Sequence, residues 1–491
     1  MGVFVVPSPI PSKALKHMTD DQWLSAMREY SPQRPRTLEN WGKGDIHTLC
    51  SELVWEAQAN KQRFAALALR LPEDISDTYL GAILDGIAET HGALPDERKP
   101  GVVAPEQLNT ETIFAVICRL HNFPARPCGR VICSAFSQLA GRPWPDDAVR
   151  ILTHYALNDP DPDKEWWQTP ATGGKPYYGG SAESAGLNSV RGGAANTIAR
   201  FLFEDKDRWP KLEETVRGLV KDRMLAVRAV AVRCLLALLN LNRDESVRLF
   251  VSLVDGAETI LGSPSVDQFL HHAAYTHYAQ IGPILTAMLS ATNEDARATA
   301  ARQIAVAAFH NENAMQDLEK ALAGDENCRA AAAQVFAHNL GCEAVRTACR
   351  QHLLPLFNDE SKKVRDAAET CFRSLSSEQL SKERDLIYSF IQSAAFNDGF
   401  NQLSFALAHS SASLPDVVCA IPERLMVQHL AETPNEPIEQ RHAVYQLPEL
   451  VLRVYEQAHD AATKTRCLNV IDDLLELGFG SLEAELQKVE R

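Results

Sequence analysis

Between Leu353 and Leu375 the chain reads LLPLFNDESKKVRDAAETCFRSL, and its apolar positions fall into two helical registers separated by a polar turn. Cys349, Leu353 and Leu356 share one face of a first helix, which contains Pro355. Val364, Ala368, Cys371 and Leu375 share one face of a second helix, opening at Val364-Arg365, because steps of four, three and four follow the 3.6-residue period. Asn358-Asp359 occupies the turn. Two helices that are each apolar along one stripe cannot bury themselves alone, so the pattern demands further pairs to stack against.

Those pairs are present. Val190-Arg191, Val227-Arg228, Ala296-Arg297, Cys328-Arg329 and Val364-Arg365 each open a helical register, with Ala194, Ala231, Ala300, Ala332 and Ala368 one turn later. The arginines are 37, 69, 32 and 36 residues apart. The gap of 69 spans two units, which places a degenerate repeat near Ser263–Ser290, starting at Ser263-Pro264. Two helices per unit at a regular spacing in this range are the mark of a solenoid.

The first part of the chain also reads as helices with proline-rich joints. Thr19-Asp20-Asp21-Gln22 is a capping box with acids in the first turn. Asp45 starts a helix, and another runs from Asn60 to the stop at Pro72. Further helices are expected at Asp77–Glu89, Pro105–Leu120, Cys128–Ala140 and Asp146–Ala156, and after the repeats at Lys382–Gln392, Asp416–His429, Glu449–Ala458 and Ala461–Leu477. No stretch alternates with period two for long enough to suggest a sheet, so the fold class is all-α, an α-solenoid. The tryptophans, at 23, 41, 55, 144, 166, 167 and 209, all lie in the front of the chain, which suggests different packing there. The expected organisation is a divergent helical region over 1–157, a long loop over 158–188, repeats over 189–375 and degenerate repeats with a C-terminal cap over 376–491.

The loop breaks the pattern. Asn158–Asn188 is rich in proline and glycine, shows no helical period and carries Trp166-Trp167 and Tyr177-Tyr178. Long segments of this kind inside a compact array are commonly functional. Trp and Tyr are the residues most enriched at binding hot spots, but the gain from burying large aromatics favours their folding back as a plug between the front of the chain and the repeats.

Composition narrows the chemistry. The 491 residues are 45% hydrophobic and 23% charged, as in an ordered protein, and too many for one core. No apolar run approaches the roughly 20 residues a membrane helix needs, and the N-terminus does not resemble a secretory signal, so a cytoplasmic location is expected. Eleven cysteines include no Cys-x-x-Cys pair, and Cys234, Cys349, Cys371 and Cys467 sit in apolar registers as small hydrophobes. A net charge of −15 opposes broad binding to a phosphate backbone, so nucleic acid is a less favoured partner than protein.

Catalytic and metal motifs fail one by one. Gly42-Lys43 and Gly174-Lys175 lack the remainder of a phosphate-binding loop. Asp159-Pro-Asp161-Pro-Asp163 imitates an EF-hand start, but Lys164 replaces the turn glycine and Pro170 the closing glutamate, which leaves a solvated acidic turn. His271, His272 and His277 diverge around a helix instead of sharing a face. His459-Asp460 lacks the further histidines of a metal-dependent phosphohydrolase. No enzyme, cofactor or metal is therefore expected.

With its proline in the first helix, acidic turn, Val-Arg and alanines, LLPLFNDESKKVRDAAETCFRSL resembles a HEAT repeat. The resemblance implies a ladder between neighbouring units, formed by the turn acids Asp222, Asp325 and Asp359 with Arg228, Arg329 and Arg365. Arg191 and Arg297 open equivalent helices, though the unit at Arg297 departs in having Glu294-Asp295 directly before it. A less specific resemblance links KHMTDDQWLSAMREY, FAALALRLP and LNSVRGGAANTIARFLFED to the C-terminal helical-repeat regions of bacterial NACHT/STAND-type NTPases. It implies a sensor or regulatory module, in some members for antiviral defence, whose NTPase or effector lies on another polypeptide or whose trigger is a foreign protein. A start with no domain before Met18 fits that picture. The alternative is a nucleic-acid-binding or DNA-repair enzyme on a HEAT-like fold. Trp166, Trp167, Tyr177 and Tyr178 are the candidate partner-binding residues.

Overall fold

Several helix starts among the described residues are set by short polar side chains that satisfy otherwise orphaned amides. Thr19 and Gln22 close a reciprocal capping box on Asp20–Glu29, and Asp45 with Thr48 does the same on Ile46–Ala59. Asn109 caps Thr110–His121, so that helix begins later than the expected Pro105; residues 105–106 lie outside the described residues. The computed structural model describes residues 6–31, 44–89, 107–124, 126–170, 174–373, 375–432 and 447–476. Trp41 lies outside them. Among the described residues there is no strand, only an isolated bridge between Pro170 and Pro176. The fold is all-α, a solenoid of paired helices, and the chain forms two compact units, Met1–Phe269 and Leu270–Arg491.

In the first unit one layer is the series Ile46–Ala59, Asp77–Ala88, Gly129–Gln138, Val190–Glu204 and Leu225–Leu238, each packed on the next. The second layer includes Lys61–Arg70 against Thr110–His121, and Asp146–Leu157 against Trp209–Val220. The same two layers thus run on both sides of the long segment. Leu225–Leu238 is buried almost all round, which explains its continuous apolar sequence LAVRAVAVRCLLAL. Ala194 and Ala231 are fully buried where helices of this layer meet, and their small size lets the backbones approach.

In the second unit Glu294–Ala308, Glu326–Asn339 and Lys362–Glu369 form the corresponding series, with Ala300, Ala332 and Ala368 fully buried. Arg346–Leu356 buries Cys349, Leu353 and Leu356, and Val364, Cys371 and Leu375 are buried on the following helix and turn. The expected helix Lys382–Gln392 is found as Arg384–Ile391, and a further short helix, Ser377–Lys382, precedes it. They are separated by Glu383, whose buried carboxylate faces Arg346 and Arg350 at 3.5 Å. Pro415–Glu432, Leu447–Gln457 and Ala461–Glu476 pack together at the end of this unit. Cys234, Cys349, Cys371 and Cys467 are all fully buried, and burial pushes the Cys234 and Cys349 thiols up to about 12.

Candidate functional site

An arginine at a helix start opposes the helix dipole and needs compensation. The structure supplies it from the next repeat. Arg297 binds Asp325 at 2.7 Å, Arg329 binds Asp359 at 2.7 Å and Arg365 binds Asp398 at 2.5 Å. In the first unit Arg191 binds Asp222 at 2.9 Å. Each acid therefore serves the arginine of the preceding repeat, so these contacts run between neighbouring units. Within its own repeat Asp325 caps its helix by accepting from the Cys328 amide, whereas Asp222 and Asp359 brace the turn by accepting from the amides of Met224 and Ser361. Burial opposes the charge on Asp325, but the Cys328 amide and the Arg297 guanidinium outweigh it and hold its carboxyl at about 2. Asp359 is lowered by the same balance, with Arg329 and the Ser361 amide as the stabilising contacts.

Arg228 is the exception. With Asp222 taken by Arg191, it donates to the carbonyls of Leu253 and Asp255 instead, and its Nε meets no acceptor. Asp398 was not anticipated. The signal was present: it follows Arg365 by 33 residues, as Asp359 follows Arg329 by 30 and Asp325 follows Arg297 by 28.

The ladder also locates the long segment. Arg297, Arg329 and Arg365 each donate a second arm to a carbonyl of their own preceding turn, five or six residues back, at Ala291, Gly324 and Asp359. Arg191 makes the same contact with Asp159, 32 residues back. Asn158–Ser189 is thus an insertion into the turn of the pair Asp146–Leu157 and Val190–Glu204.

The insertion is built, contrary to its irregular sequence. It holds two short 3-10 turns, Trp166–Gln168 and Tyr177–Gly180, and the helix Ala182–Leu187. Its acidic run is not a solvated turn, because the helix N-termini beside it need acceptors. Asp161 accepts from the Val190 amide at 2.7 Å, Glu165 from the amides of Leu225 and Ala226, and Glu183 from the Ser265 amide at 2.9 Å. Three carboxylates of one insertion therefore cap three helices, Val190–Glu204, Leu225–Leu238 and Pro264–Ala273. Glu183, itself buried, also binds Arg233 at 2.8 Å, and Arg233 reaches Asn196. Gly186 fits where nothing larger could: a Cβ there would stand 2.1 Å from the Ala226 carbonyl oxygen.

The four aromatics divide on this frame. Trp167 is buried and donates its indole N–H to Glu165 at 2.6 Å. Trp166, Tyr177 and Tyr178 stay 37%, 42% and 45% exposed. Trp166 donates its indole N–H to Asp163 at 3.1 Å and meets the Tyr177 ring edge-on at 6.0 Å. Tyr178 has φ +54°, and Gly179 and Gly180 follow at +64° and +79°. A non-glycine residue in this region costs of order 1 kcal/mol and is held there only by its surroundings. Trp166, Tyr177 and Tyr178 line one open cavity of about 200 Å³, with Ala185 and Ala226 among its other walls.

No family model matches the chain, and no curated protein matches it. Among solved structures, an engineered protein is similar at 13% identity and TM-score 0.34, over 94% of this chain and 97% of that one. Kap95 from the Kap95:Nup1 complex is similar at 11% identity and TM-score 0.42, over 96% of this chain and 63% of Kap95. Importin beta is similar at 10% identity and TM-score 0.40, over 95% of this chain and 63% of importin beta. The chain therefore spans less than two thirds of the length of these last two proteins.

Proposed function

We propose that this chain is a non-enzymatic binding module that holds a protein partner at the insertion Asn158–Ser189. One observation carries the reading: Trp166, Tyr177 and Tyr178 are kept exposed around a cavity by a segment that is anchored through Asp161, Glu165 and Glu183. Large aromatics presented on a fixed frame lose little freedom on binding, which is why such residues dominate interface energetics. The sensor or regulatory role follows from the resemblance to NACHT/STAND-type repeat regions. In that setting the partner is an NTPase or effector on a separate chain, or a foreign trigger protein in antiviral defence.

Affinity capture from the native host with the wild-type chain and with Trp166→Ala tests this. The expected result is a protein captured by the wild type and lost with Trp166→Ala, at unchanged helical circular dichroism. Capture that is indifferent to Trp166, or capture of nucleic acid without protein at about 200 mM salt, where phosphate contacts are already weakened, overturns it.

A further inference from the structure

The chemistry of the cavity narrows what part of a partner enters it, on the reading that the insertion is a binding site. About 200 Å³ is below the range of roughly 300–1,000 Å³ typical of pockets for drug-sized ligands, so the space suits one long side chain and not a helix. Its walls combine the rings of Trp166, Tyr177 and Tyr178 with the small Ala185 and Ala226 and the polar Asp161, Asn188 and Ser189.

The helix starts at Val190 and at Leu225-Ala226 are where an anion would ordinarily be drawn. Both are already occupied by the carboxylates of Asp161 and Glu165. Asp159, Asp161, Asp163 and Glu165 crowd seven residues in which Lys164 is the only cation, within a chain of net charge −15. The local field therefore favours a positive group. A positive group is in fact already there: the Lys164 ammonium sits 3.6 Å from the centre of the Trp166 ring. Indole is the strongest cation-binding face among the side chains.

We propose that the cavity receives an arginine or lysine side chain from a basic, extended segment of the partner protein, and that Lys164 is the internal cation it displaces from Trp166. Lys164 then acts as a built-in competitor that lowers affinity for single cations and raises the threshold for engagement.

The test uses the full chain labelled with 5-fluorotryptophan, with the Trp166 and Trp167 resonances assigned through Trp→Phe variants. The probes are the N-acetyl methylamides of arginine, lysine, norleucine and glutamate. The arginine and lysine probes are expected to move the Trp166 resonance at millimolar concentration and leave Trp167 in place, whereas norleucine and glutamate move neither resonance. Lys164→Met, which keeps the aliphatic stem, is expected to tighten the cationic probes three- to tenfold. Equal response to norleucine, response to glutamate, absence of response to the cations, or an unchanged affinity in Lys164→Met overturns the proposal. If these fail while partner capture still depends on Trp166, the insertion remains a binding site with an apolar anchor; if capture fails as well, both readings fall.

Discussion

Arg191 holds Asp222 through two nitrogens, at 2.9 and 3.2 Å, with only 5% and 9% of the two side chains exposed. The same guanidinium donates to the Asp159 carbonyl at 2.8 Å. One side chain thus ties together the base of the insertion, the helix Val190–Glu204 and the turn of the following repeat. The fork geometry matters here, because three acceptors in fixed directions suit guanidinium and not ammonium.

Removing one partner of so buried a pair leaves the other charge without compensation, a loss of about 3–5 kcal/mol. Asp222→Ala is expected to fall in that range, and Arg191→Lys to lose a substantial part of it despite keeping the charge. Asp325→Ala, at the more exposed rung with Arg297, is expected to cost far less. Urea denaturation of the three variants checks the order. Equal losses at both rungs would show that burial does not set the strength of the ladder.

Gly186 is packed against the Ala226 carbonyl so closely that a methyl group forces the helix Ala182–Leu187 outward. Overpacking of this kind costs about 1–3 kcal/mol. Because Glu183 lies on the same short helix, Gly186→Ala is also expected to loosen the cap on Ser265. Hydrogen exchange at the Ser265 amide is the direct measurement, and unchanged protection there would mean the helix absorbs the methyl without moving.

The repeats were legible in the sequence because their determinants are local and periodic. Val364, Ala368 and Cys371 announce a buried face by spacing alone, and the Arg-to-Asp spacing contained the rung to Asp398. Spacing alone does not assign each acid to one arginine: Asp222 lies six residues before Arg228, yet its carboxylate is bound by Arg191. The insertion was the harder case. Asp161, Glu165 and Glu183 act on amides 29 to 82 residues away, and no local pattern encodes a cap whose helix is elsewhere in the chain. The division between Trp166 and Trp167 is likewise invisible from adjacency. It follows from the 3-10 turn, which sends the Trp166 indole outward to Asp163 and the next, Trp167, inward to Glu165.

That division gives two adjacent tryptophans opposite expected phenotypes. Trp167→Ala removes a buried indole and its bond to Glu165, and is expected to destabilise the Met1–Phe269 unit by about 3 kcal/mol. Trp166→Ala removes a ring that is more than one third exposed, and is expected to leave stability within about 1 kcal/mol while abolishing partner capture. Thermal melts alongside the capture experiment distinguish them. A stability loss from Trp166→Ala as large as that from Trp167→Ala would mean that both rings are structural.

Glu369 contributes a pH dependence to the second unit that differs in sign from that of Asp325 and Asp359. Burial raises its carboxyl to about 7, against the opposing effect of its bond from the Gln402 amide at 2.9 Å; Asp366 nearby adds to the rise and Lys362 offsets part of it. The unfolded carboxyl titrates near ~4.3, so the folded state binds the extra proton between the two values. The stabilising contribution is complete below about pH 4, and it is lost as pH rises through about 7. Glu369→Gln is neutral throughout and keeps an oxygen to accept from Gln402. It is expected to match the wild type near pH 4 and to exceed it by on the order of 2 kcal/mol at pH 8. Hydrogen exchange or denaturant unfolding of the Leu270–Arg491 unit at both pH values reads the difference directly. A gain that is the same at pH 4 and pH 8 would trace the effect to packing, because only titration of this carboxyl makes the advantage grow with pH.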